Sequence, residues 1–294
     1  MIKFGPAGHS ESFLSSGKKH TWQMPQWLSE FGLDVFEYSF GRGVNIKKDS
    51  ALKIGEEAKK YGIEMTVHAP YYINFATEDP QKAENNVRYV MQSLEALSYF
   101  GGKRLVIHTA SQGKAERKDA LRTASLALDN LAKKVYDAGY SDYMLCLETM
   151  GKRSQIGTVD EIVDFCKIAP IFRPTMDFGH INACFQGILK TKDDYKREID
   201  KVFAGLDEER AKKIHVHFSK IQYSQAGEVR HLTFEDEVYG PDFTPLGEIF
   251  HEYGMEPCVI CESAGTQAED ALQMKTQFVN ISYNSLQNTS KVLK

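Results

Sequence analysis

No apolar run in this 294-residue chain approaches the roughly 18 residues that a membrane-spanning helix needs. Nothing in the opening Met1-Ile2-Lys3-Phe4-Gly5 resembles a secretory signal, so the expected location is the cytoplasm. Cysteine is scarce: five residues, Cys146, Cys166, Cys184, Cys258 and Cys261, spread over a long chain. An odd, dispersed set excludes a disulfide-framed secreted scaffold and predicts reduced thiols. Cys258 and Cys261 form a CxxC within an apolar run that reads as a strand. Positions three apart on a strand face opposite sides, which argues against redox or zinc-ribbon chemistry. Positive charge is not in excess either, with a net charge of −4 and a pI of about 6.2. Composition therefore does not announce a nucleic-acid binder, although a local basic rim is compatible with an acidic average. There is no Walker loop, no G-x-G-x-x-G, no Cys–His pair, no low-complexity tract, no linker and no internal repeat.

What remains is an ordinary globular composition, 42% hydrophobic and 26% charged. A chain of this length buries a core without help from metals, so any bound metal serves function first. Short apolar runs alternate with amphipathic stretches, the pattern of a parallel sheet with crossover helices. The runs are Ile2–Pro6, Leu33–Tyr38, Glu64–His68, Arg104–His108, Met144–Glu148, Pro174–Asp177, Ile214–Phe218 and Pro257–Glu262. Eight such units in one chain predict a single (β/α)8 TIM barrel spanning residues 1–294. Between them, Asp49–Tyr61 and Asn85–Phe100 carry helical spacing and stop before Gly62 and at Gly101-Gly102. The tail from Glu269 reads as a closing helix. Ile221–Phe243 reads as one long irregular connection, the kind that usually forms a lid or binding loop.

The strands should be apolar throughout, and they depart from that at their last residues. His68, His108, Glu148, Asp177, His215, His217 and Glu262 fall at the ends of six consecutive strands, with His180 three residues after Asp177. The C-terminal rim of a TIM barrel is where active sites are built. Acids gathered there without arginine or lysine would repel one another unless a cation neutralised them. Imidazoles mixed with carboxylates suit zinc, manganese, iron or cobalt, and His-rich chemistry on a phosphate ester favours zinc.

The ordered stretches Val67-His68-Ala69-Pro70-Tyr71, Val106-Ile107-His108, Leu147-Glu148-Thr149-Met150, Asp177-Phe178-Gly179-His180, His215-Val216-His217-Phe218-Ser219-Lys220, Arg230-His231 and Glu262 resemble the ligand motifs of the endonuclease IV family, of xylose isomerase-like fold. The resemblance runs from the second strand to the eighth. It implies two or three zinc ions that cleave damaged double-stranded DNA on the 5′ side of an abasic site. It implies also that His68, His108 and Glu148 hold one ion, that Glu148, Asp177, His215 and Glu262 hold another, and that His180 and His231 hold a third. Glu148 and Glu262 are the implied catalytic carboxylates. Arg42 and Tyr71 occupy the places of residues that wedge into the duplex. The chain departs from the pattern where an aspartate should precede His231 by two residues. Val229 stands there, and the nearest acid, Glu228, should point the other way unless the loop compensates; His217 is a second substitute. The same Glu148, Asp177, His215 and Glu262 also resemble the one-metal set of sugar isomerases and epimerases related to xylose isomerase, with manganese and a small sugar in place of zinc and DNA. His68, His108, His180 and His231 are surplus to that chemistry.

Overall fold

The computed structural model describes residues 1–292, with side chains through 285. Eight strands form one sheet: β1 (Lys3–Pro6), β2 (Val35–Ser39), β3 (Glu64–His68), β4 (Arg104–His108), β5 (Met144–Glu148), β6 (Phe172–Asp177), β7 (His215–Phe218) and β8 (Cys258–Cys261). From β2 to β8 each pairs in parallel with its sequence neighbour, and β8 pairs with β1. The seam between β1 and β2 is closed by a single bridge, Ala7 to Glu37, and by the Asp34 amide donating to the Phe4 carbonyl at 2.9 Å. Gly5 is required at that seam, because a Cβ there would lie 1.7 Å from the Val35 carbonyl oxygen. The strands predicted from sequence all form, with ends moved by one or two residues.

Helices cover the outside. The helix before β4 begins at Pro80, five residues earlier than its apolar spacing suggests. The Asp79 carboxylate caps it, accepting from the amides of Gln81 and Lys82, and proline fits the first turn, where no amide donor is needed. The main core lies between these helices and the outer face of the barrel. Inside the barrel, Val35, Cys258 and Ile260 form a small separate apolar cluster. Cys261 belongs to the outer core, so the two cysteines do face opposite ways, and all five are free and buried.

Two expectations need correction. The strands are not apolar up to their ends: Glu37, Thr66, Thr175 and His215 sit mid-strand or lower and are fully buried. The segment after β7 is not irregular throughout, for Ile221–Ser224 and Gly227–His231 pair as an antiparallel hairpin. Its strands are only four and five residues long, too short for a periodic pattern to stand out. The hairpin leans on the loop after β5. The Glu228 amide donates to the Gly151 carbonyl at 2.9 Å, and Gly227, at φ 105°, approaches so closely that a Cβ would lie 2.2 Å from the same oxygen.

Candidate metal centre

Top-row side chains of the lumen converge on Glu148. Its Oε2 lies 3.1 Å from Nε2 of His68 and 3.1 Å from Nε2 of His108, and its Oε1 lies 3.1 Å from Nδ1 of His217 and 3.4 Å from Nδ1 of His180. Four imidazoles thus share one buried carboxylate, two at each oxygen. Glu262, just past the end of β8, reaches to 3.5 Å from His217. Asp177 and Glu262 join Glu148 and His217 in a group whose ligand-type atoms lie within 4.8 Å of one another.

Asp177 holds its position by capping the helix Phe178–Cys184, one oxygen accepting from the His180 amide at 2.7 Å. Its other oxygen is buried and accepts no hydrogen bond, although Nδ1 of His180 lies 3.1 Å away. Among the described residues, no arginine or lysine pairs with Glu37, Glu148, Asp177 or Glu262, and every ion pair to them comes from histidine. An orphaned buried carboxylate oxygen amid acids and imidazoles is the donor set that a divalent cation of the zinc or manganese type fits.

His180 turns away from this group with its other nitrogen. Nε2 lies 3.4 Å from Glu228, and His231 Nε2 lies 3.8 Å from the second oxygen of the same carboxylate. His180, Glu228 and His231 form a second cluster. Glu228 reaches it through a β-bulge. Across the hairpin Gln222 pairs with Arg230 and Tyr223 with Glu228, so Val229 is the extra residue, turned to solvent. A bulge re-aims the residues beyond it, and here it returns Glu228 to the face of His231.

The structure places His215 below the rim. That residue pairs with Thr175 on β6, two residues below Asp177, whereas His217 pairs with Asp177 itself. One pleat repeat, about 6.6 Å, therefore separates His215 from the rim. It meets Glu37 instead, at 3.0 Å, while His217 faces both Glu37, at 2.9 Å, and the upper acids. His68, His108, Glu148, Asp177, His180, His231 and Glu262 are brought together as expected; His215 is not. Tyr71 is exposed at the mouth, and Arg42 lies on the exposed turn after β2. Sequence reasoning missed Glu37 and Lys152; an acid in mid-strand was the available signal for the first.

Burial and charge compete at each titratable group. Burial would raise the Glu148 carboxyl, yet the charges of His217 and His108 and hydrogen bonds from His108 and His180 hold it well below the usual range. The same contest, won by His217 and His215, lowers Glu37. Glu262 is lowered too, with burial opposed by His217 and His231. Asp177 goes the other way, burial pushing it up to about 6 with the nearby Glu262 and Glu148 adding to the rise. Burial would lower His68, but the Glu148 contact carries it up to about 9, and His180 and His217 are likewise raised well above the ordinary value.

Above the cluster opens a cavity of about 380 Å³ whose wall includes Ser39, Tyr71, Lys152 and Gln155 as well as the histidines and glutamates.

A family profile described as Xylose isomerase-like TIM barrel matches residues 25–278. An uncharacterized protein of Methanocaldococcus jannaschii is 29% identical over 277 residues, covering 94% of this chain and 96% of its own. A probable endonuclease 4 of Mycoplasma genitalium is 33% identical over 111 residues, covering 34% of this chain and 36% of its own. Among solved structures, a D-tagatose 3-epimerase-like protein superposes with TM-score 0.73 at 19% identity, covering 97% of this chain and all of its own. Endonuclease IV from Thermus thermophilus superposes with TM-score 0.68 at 16% identity, covering 96% of this chain and 99% of its own.

Proposed function

Because the chain belongs to the xylose isomerase-like TIM barrel family, we propose that it is a metal-dependent phosphodiesterase of the endonuclease IV kind, cleaving damaged double-stranded DNA 5′ to abasic sites. The observation that carries this is a pair of clusters joined through His180: Glu148 with its four imidazoles, and His180–Glu228–His231 beside it. A one-metal enzyme has no use for the second cluster or for His68 and His108.

On this reading His68, His108 and Glu148 hold one ion; Glu148, Asp177, His217 and Glu262 a second; and His180, Glu228 and His231 a third. Zinc is the favoured metal, with manganese acceptable to the same ligands. When bound, divalent cations supply Lewis acidity toward a phosphoryl oxygen and lower the pKa of water to near 7. Glu148, almost fully buried, serves as the shared anionic post of the cluster. Glu262, whose side chain is more open to the cavity, orients the attacking water. Lys152 on the cavity wall meets a phosphate oxygen, and Tyr71 and Arg42 at the mouth engage the damaged nucleotide and the strand beside it. Among the described residues no helix is long and apolar enough to cross a membrane. The free, buried cysteines suit a reducing cytoplasm.

A second reading rests on the Glu148–Asp177–His217–Glu262 group alone: a one-cation isomerase or epimerase in which two glutamates shuttle a proton beside a sugar carbonyl. Incubating zinc- and manganese-loaded protein with a duplex carrying one abasic analogue, and separately with a panel of ketoses, decides between them. Nicking on the 5′ side of the lesion is the expected result. Epimer formation with an intact duplex would replace the first reading with the second.

A further inference from the structure

Four of the five rim histidines are fastened the same way. The Nδ1 atoms of His68, His108 and His180 lie 2.7 Å from the Ala69 carbonyl, 3.1 Å from the Tyr71 carbonyl and 3.0 Å from the Thr149 carbonyl, and Nδ1 of His231 lies 2.8 Å from the Ser219 hydroxyl. His68, His108 and His231 present Nε2 to the acids in front of them, and His180 presents Nε2 to Glu228 while its Nδ1 also lies 3.4 Å from Glu148 and 3.1 Å from Asp177. His217 is reversed. Its Nδ1 faces Glu148 and Glu262, and its Nε2 points down the lumen to Glu37 Oε1 at 2.9 Å.

Among the described residues no backbone carbonyl or hydroxyl bonds Nε2 of His217 as the other four rings are bonded. Glu37 takes that place. The residue is fully buried on β2, its Oε2 accepts from the Thr66 hydroxyl at 2.9 Å, and its only ion-pair partners among the described residues are His215 and His217. Carboxylates face both nitrogens of His217; with a cation held among Glu148, Asp177 and Glu262, Nδ1 would turn its lone pair to the cation and an N–H on Nε2 would face Glu37. Metal-ligating histidines are oriented in this way by a carboxylate at the far nitrogen. We infer that Glu37 is a positioning residue which sets His217 to face the metal centre through Nδ1, with His215 holding the other oxygen of the same carboxylate. The inference rests on the metal-centre reading above, and it assigns the two histidines of β7 different jobs: one a ligand, the other a brace.

The test is nitrogen-15 NMR of the histidine rings, combined with zinc titration against a chromogenic chelator, in wild type, Glu37→Gln and Thr66→Val. In zinc-loaded wild type, His217 is expected to keep its proton on Nε2 and to bind through Nδ1, while the other four rim rings bind at Nε2. Glu37→Gln should weaken one zinc ion by about 10–100-fold and leave the ions at His68–His108 and at His180–Glu228–His231 within about twofold. Thr66→Val keeps the carboxylate and should give a smaller loss, which provides a readable variant if Glu37→Gln does not fold. An unchanged tautomer with unchanged affinities in Glu37→Gln would overturn the inference. So would a further zinc ion that appears in wild type on His215 and disappears with Glu37. A wild-type protein that takes up no divalent cation would instead overturn the metal reading, a result seen before any variant is made.

Discussion

Glu228 Oε1 lies 3.8 Å from His231 Nε2, three residues along a strand whose even register would put them on opposite faces. The looped-out Val229 absorbs the odd residue. Deleting Val229 should straighten the hairpin and leave Glu228 two residues before His231, still on its face, whereas Glu228→Ala should remove the ligand without touching the register. Glu228→Ala is expected to lower metal content by one ion per chain and the deletion to retain it, measured on dialysed protein by elemental analysis. Full metal content in Glu228→Ala would detach Glu228 from the centre.

Glu148 neutralises the imidazoles on both its oxygens. Replacing it with Gln leaves buried histidinium charges without their partner, a change worth about 3–5 kcal/mol in comparable cases. Urea unfolding of the metal-free variant at pH 7 should show a loss of that order, together with loss of more than one bound ion. A variant as stable as wild type would place the histidine charges elsewhere.

pH should act on the metal-free protein in a defined direction. The folded-state pKa of His68 is raised to about 9 from 6.5, and those of His180 and His217 are raised too. The stability these groups contribute is fully present below about pH 6.5 and is lost as pH rises through about 9, on the order of 3 kcal/mol from His68 alone. Zinc binding requires neutral imidazoles and releases their protons, so zinc affinity should rise across the same window. Urea midpoints at pH 6.5, 7.5 and 9, with and without zinc, test both statements; metal-free stability that climbs with pH would contradict the first.

Glu262→Gln should abolish phosphodiester cleavage while leaving the fold unchanged, because its carboxylate opens to the cavity instead of bracing the lumen. Circular dichroism and a nicking assay are the two measurements. Retained activity would remove Glu262 from the reaction.

Lys152→Ala and Arg42→Ala should each weaken binding to abasic duplex without changing metal content. If the lysine meets a phosphate, the salt dependence of binding should fall by about one unit of slope. A Lys152→Ala variant with the wild-type slope would return that side chain to the surface.

Much of this was readable in the chain. Eight apolar runs at regular spacing dictate a barrel, since each helix can bury its apolar stripe only against a parallel sheet. A polar residue at the last position of an otherwise buried strand has nowhere to go but the rim, so His68, His108, Glu148, Asp177 and Glu262 followed from position alone. The start of the helix at Pro80 was visible in Asp79-Pro80 as a cap signal, although the apolar spacing begins later.

Three features needed the tertiary structure. His215 and His217 share a face of β7, and only the pairing of β7 with β6 decides which one stands level with Asp177. Glu37 is an acid in a strand until β7 brings two imidazoles across the lumen to it. Glu228 is one residue out of place until the partner strand makes Val229 a bulge. Alternation along a strand is a local property, fixed by the backbone of each residue. Depth in a barrel and phase in a hairpin belong to pairs of strands, and no single strand contains them.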